Sequence, residues 1–246
     1  MSRSYELLQR AAEDQTWKSV AGPVVETTDN IPVPVESPSV PRQELSKLVH
    51  RLFLFNQQAK PKVVVFTGIG RGSGCSSICA GAGEALSAQV AGPVCIVDAN
   101  LRIPRLHQYF RVDNLKGLTD AVLGAGPIHD YVQRLPGKNT WFLSSGSVSS
   151  PLSALMRDNK LASRFAELRT EFQYVLIDSP SANDFTDPIL IGQLADGVVL
   201  VVESRSTRRE VARRVKETIE AAKVPVVGAV LNRREFPIPP FIYERL

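Results

Sequence analysis

The residues best placed to do chemistry are Gly68-Ile69-Gly70-Arg71-Gly72-Ser73-Gly74-Cys75-Ser76-Ser77, directly after the apolar run Val63-Val64-Val65-Phe66. Strand, glycine-rich turn, hydroxyl side chains and helical pattern together describe a phosphate cradle. Backbone N–H groups and a helix N-terminus face the anion there, and glycine lets the backbone come close to it. The usual pattern is G-x-x-x-x-G-K-[ST]. Gly74-Cys75-Ser76 matches its end with cysteine in place of lysine, and Ile69 stands where the first glycine belongs. The positions expected to meet phosphate are Gly70, Arg71, Gly72, Ser73, Gly74, Cys75, Ser76 and Ser77, with the Ser76 hydroxyl placed for magnesium.

Asp98 follows Val94-Cys95-Ile96-Val97, and Asp178 follows Tyr174-Val175-Leu176-Ile177. An aspartate at the end of a strand can hold magnesium directly or through water. The plainer role is to cap the turn that follows. A dinucleotide-binding G-x-G-x-x-G loop fits poorly. Frames starting at Gly68, Gly70 and Gly72 put Ser73, Cys75 and Ser77 where the third glycine should be.

Short apolar runs that alternate with helical patterns must position these groups. Strands are expected at 62–67, 93–98, 140–144, 174–178, 197–203 and 224–231, and helices near 75–89, 151–170, 186–194 and 207–222. Most of these strands are continuously apolar and rich in valine and isoleucine, as in a sheet covered on both faces. The fold class is α/β: a mostly parallel sheet with helices on both faces, of the P-loop NTPase type. Ligands of such sheets sit beyond the carboxyl ends of the strands, where the glycine loop, Asp98 and Asp178 would converge. Residues 4–19 read as a short helix, and 21–42 as a linker carrying Pro23, Pro32, Pro34, Pro38 and Pro41. The domain is expected over 43–234, with a proline-rich tail over 235–246.

Composition narrows the class. A net charge of +4 over 246 residues, with 7% aromatic residues, does not suggest a nucleic-acid surface. Cys75, Cys79 and Cys95 form no framework of pairs, which fits a reducing, cytoplasmic compartment. The N-terminus is polar from the start, so no secretory leader is expected, and the run Gly197–Val202 is too short to span a bilayer.

Phe66 through Ser77, Ile96 through His107 and Tyr174 through Pro180 resemble the three Walker-type motifs of bacterial tyrosine kinases (BY-kinases). That family is related to the MinD/ParA group of P-loop ATPases. Gly117 through Gly124 and Leu194 through Val202 extend the similarity to about residues 40–235. The resemblance implies ATP with magnesium as cofactors, Asp98 and Asp178 as catalytic and metal-binding acids with Ser76, and Asn232 as a base contact. It also implies Tyr243 as phospho-acceptor. A membrane polysaccharide co-polymerase or a sister kinase is the implied partner, reached from the cytoplasm at the inner face of the membrane.

The departures bear on activity. The family places lysine where Cys75 stands, and the wider group a second lysine at Gly70. Its second motif reads Asp-x-Asp, whereas this chain has Asp98-Ala99-Asn100. The oligomerisation pattern E-x-x-R-x-x-R survives only as Glu44, Lys47 and His50, so a homo-oligomer is no more than an option. Losing the lysine removes a cation from the β/γ-phosphates, where charge develops during transfer. Little or no kinase activity and weak or absent nucleotide binding are expected, in a regulatory, pseudokinase-like member of exopolysaccharide or capsule export. The alternatives are an active tyrosine autokinase using Arg71 and Tyr243, or a MinD/ParA-type ATPase. Arg71 either restores one charge or is a turn residue facing solvent. Cys75 either fills the loop or, at a helix N-terminus, is a redox-active thiol. Arg205, Arg208, Arg209, Arg213, Arg214 and Lys216 read as a solvated helix face, with a partner or lipid surface second. His50, His107 and His129 lack metal-ligand spacing.

Overall fold

The computed structural model describes residues 41–55, 61–136, 139–147, 152–155 and 159–233. The expected N-terminal helix, most of the linker, and the tail with Tyr243 lie outside the described residues.

Seven strands form one sheet: β1 (Val63–Gly68), β2 (Val94–Asp98), β3 (Gln133–Arg134), β4 (Thr140–Leu143), β5 (Tyr174–Ser179), β6 (Gly197–Glu203) and β7 (Val226–Asn232). Their order is β3-β4-β2-β5-β1-β6-β7. Every pairing is parallel except that of β3 with β4. The six expected strands are present with ends shifted by up to two residues. The seventh, β3, escaped notice because two polar residues, Gln133 half-buried and Arg134 exposed, carry no apolar run.

Strand residues alternate between two cores. Val64, Phe66, Val94, Ile96 and Leu176 face one side, and Val63, Val65, Cys95, Val97 and Ile177 the other. The first side is covered by α1 (Arg42–Val49), its π-helical continuation His50–Leu54, α2 (Cys75–Ser87) and α3 (Leu106–Phe110). The second is covered by α4 (Leu118–Leu123), α5 (Leu152–Leu155), α6 (Lys160–Glu171), α7 (Asp187–Gly192) and α8 (Arg209–Ala221). Helices on both faces were expected. The expected helix over 151–170 is described as α5 and α6. α1, α3 and α4, five to eight residues long, had no separate prediction.

α2 carries small residues where it is squeezed. A Cβ at Gly81 would come within 2.6 Å of Leu45 Cδ1 on α1, and one at Gly83 would strike Ile96 on β2. This thin helix can press the end of the loop against the sheet, while α1 closes over its outer side.

Candidate functional site

Strand order explains why the site assembles. β5 lies between β1 and β2, so the loop after β1 and the acids ending β2 and β5 meet at one edge. Phe66 pairs with Asp178, and Asp178 with Asp98. Both acids share the phase of Leu176 and Ile96, so both point toward α2.

The loop is stitched to its neighbours. Thr67 Oγ1 donates to the Pro180 carbonyl at 2.6 Å, and Ser179 Oγ to the Phe66 carbonyl at 2.9 Å. The Ala182 and Asn183 amides donate to the Gly68 and Ile69 carbonyls at 2.9 and 3.1 Å. Sequence reasoning passed over Thr67 and Ser179; their only signal was a hydroxyl at each strand end. Gly72 and Gly74 have φ of 81° and 79°, where a side chain is strained. Gly70 and Gly72 have no heavy atom within 4 Å of where a Cβ would lie, so the cradle is open at its tip.

Ser76 is the second residue of α2, and its Oγ donates to Asp178 Oδ2 at 2.6 Å. Asp178 Oδ1 is buried and has no hydrogen-bond partner. Asp98 is differently placed. Its Oδ1 accepts from the Asn100 amide at 3.1 Å, and its Oδ2 from the amides of Arg105 and Leu106 at 3.1 and 3.0 Å. Asn100 Oδ1 in turn accepts from the Ile103 amide at 3.2 Å, a turn contact that an amide makes as well as a carboxylate. Asp98 thus shapes the turn into α3 while standing beside Asp178. Burial lifts the pKa of both acids above the usual carboxylate range. For Asp98 the neighbouring Asp178 charge adds to the lift, against its three backbone donors.

Cys75 sits between the loop and Asp178, only partly exposed. Burial pushes its pKa well above the ordinary thiol value, and the Asp178 carboxylate pushes it further. A reactive thiolate needs the opposite, so the geometry opposes the redox reading. Cys79, one turn along and fully buried, is raised in the same way. Ser77 lies in the first turn of α2, half-buried.

Asn232 ends β7 and is 4% exposed. Its Nδ2 donates to the Ser73 carbonyl at 2.8 Å, and its Oδ1 accepts from the Arg233 amide at 2.9 Å. A Cβ at Gly74 would strike that Nδ2. The side chain expected to contact a base therefore clips the phosphate loop to β7.

Arg71, at the tip of the loop, is exposed, with Nε 3.8 Å from Asp184 Oδ2. Of the noted histidines, His129 lies 3.5 Å from Glu171 and against Trp141. Along the basic helix, Arg213 pairs with Glu217 and Lys216 with Glu220. Among the described residues no group of three His, Cys, Asp or Glu could hold a metal. No described helix is long and apolar enough to cross a membrane.

These residues fit a magnesium-bound diphosphate in part. The unpartnered Asp178 Oδ1, Ser76 Oγ and the open glycine tip suit a metal that takes its remaining ligands from water and phosphate. Asp178 and Ser76 would hold a magnesium ion there, which would supply positive charge against phosphate. The lysine position, occupied by Cys75, adds no charge.

Residues 61–214 match the family model described as cellulose biosynthesis protein BcsQ. The tyrosine-protein kinase YwqD of Bacillus subtilis (strain 168) is 29% identical over 65% of this chain and 71% of its own length. The putative tyrosine-protein kinase CapB of Staphylococcus aureus is 27% identical over 59% of this chain and 64% of its own, just under two thirds. Among solved structures, the chimerical protein CapA2B2 superposes with a TM-score of 0.74 at 28% identity, covering 82% of this chain and 88% of that one. MinD with Mg-ADP from Pyrococcus horikoshii OT3 shares the fold at a TM-score of 0.60 and 20% identity, covering 75% of this chain and 76% of that one. With the parallel sheet, the loop after β1 and acids at the ends of β2 and β5, the chain belongs to the MinD/ParA-like P-loop family, among its bacterial tyrosine kinase (BY-kinase) relatives.

Proposed function

We propose that this chain is a BY-kinase-like P-loop protein of exopolysaccharide or capsule biosynthesis or export that has lost most or all phosphoryl transfer and acts by binding a partner. One observation carries the reading: Cys75 occupies the lysine position of a loop that keeps its Ser76–Asp178 contact and its Asn232 brace. A neutral, protonated thiol stabilises neither a bound triphosphate nor the charge that develops as it is transferred. The partner is a membrane polysaccharide co-polymerase or a sister kinase, at the inner face of the membrane.

Calorimetry with magnesium and ATP tests the reading. No measurable binding is expected for the unmodified protein, and micromolar binding after Cys75→Lys. Micromolar binding without the substitution, with phosphate appearing on Tyr243, would defeat it. The intact Ser76–Asp178 corner favours a second reading, an active autokinase with an unusual loop, and that outcome would establish it.

A further inference from the structure

Arg71 stands at the tip of the phosphate loop, between two glycines that border open space. Its side chain is 67% exposed and turned outward, with Nε 3.8 Å from Asp184 Oδ2. Its guanidinium carbon lies 5.5 Å from the centre of the Phe185 ring. The groups that receive it are held more firmly. Asp184 accepts from Ser181 Oγ at 2.6 Å and from Asn183 Nδ2 at 3.2 Å. Phe185 carries Arg102 at 4.1 Å, and Arg102 is fixed by two hydrogen bonds to Asp187 at 2.8 and 3.2 Å. Arg71 is the loose member of this cluster. A long, exposed ion pair contributes little, whereas a bound phosphate offers an arginine short, paired, charge-assisted hydrogen bonds.

We propose that Arg71 is a reserve cation. Asp184 holds it off the cradle, and it moves to the pyrophosphate group of an incoming nucleoside diphosphate. This rests on reading the loop as a phosphate cradle. Arg71 then adds a cation at the tip of the cradle, independent of the residue at position 75. Asp184 competes with the ligand for one guanidinium. Since the Ala182 and Asn183 amides bond the loop directly, the competitor is fixed to the loop it regulates.

The test uses Cys75→Lys protein as background, with calorimetry of magnesium pyrophosphate and of magnesium ADP. Adding Asp184→Ala should tighten both ligands about threefold to fivefold, and adding Arg71→Ala should weaken both about tenfold. With Arg71 already replaced, Asp184→Ala should do nothing. An Arg71→Ala variant that binds as its parent does would overturn the proposal and leave the cradle standing. So would a gain from Asp184→Ala that persists without Arg71. A change confined to ADP would place Arg71 on the nucleoside and refute its assignment to phosphate. If the Cys75→Lys protein binds neither ligand, the cradle reading fails and this proposal with it.

Discussion

Asp98 and Asp178 are paired across β2 and β5, and both side chains are fully buried. Two carboxyl groups in that position cannot ionise freely without a cation between them.

The pair makes stability depend on pH. In the unfolded chain both acids ionise near pH about 4. In the folded domain both keep their protons to higher pH, Asp98 to about 8. The native state binds more protons within that window, so stability falls as pH rises through it. The Tm of the unmodified protein should decline from pH about 5 to about 8, and Asp178→Asn should flatten the slope and raise Tm at the alkaline end. A slope untouched by the substitution would assign the dependence to other groups.

Asn232→Ala should leave the Ser73 carbonyl without its donor, at a residue only 3% exposed. A loss of about 1–3 kcal/mol is expected, read as a Tm lowered by several degrees. Asn232→Asp should not rescue it, because a carboxylate has no N–H to give. Full stability of the aspartate variant would contradict the clip.

Cys75 should react slowly with iodoacetamide near neutral pH. The midpoint of its rate against pH should lie above that of a free thiol, about 8.5. A midpoint at or below that value would revive the redox reading.

Phe53 is wholly buried and meets the Tyr174 ring edge-on at 5.4 Å. Phe53→Ala should cost about 3–5 kcal/mol, measured by denaturant unfolding. A loss under about 1 kcal/mol would mean that the segment after α1 is dispensable to the core.

The parallel sheet was legible because strands covered on both faces must be apolar throughout, and Val63–Phe66, Val94–Val97 and Val198–Val201 are. α3 and α4 were not; α3 is held from outside by Asp98, which accepts the Leu106 amide. Asp98 and Asp178 could be named from their places at strand ends. Their contrast could not: Asp98 takes amides from the turn that follows it, whereas Asp178 meets Ser76 across 102 residues of sequence.

By itself the sequence determined that a glycine loop and two acids would share the carboxyl edge of a sheet, and that the loop's lysine is absent. Both follow from local patterns of apolar runs and residue types. Only the tertiary structure decided that Asn232 braces the loop, that Asp178 meets Ser76 while keeping an unpartnered oxygen, and that Arg71 rests on Asp184. Those are contacts between segments up to 159 residues apart, and their partners are set by strand order, which no local pattern encodes.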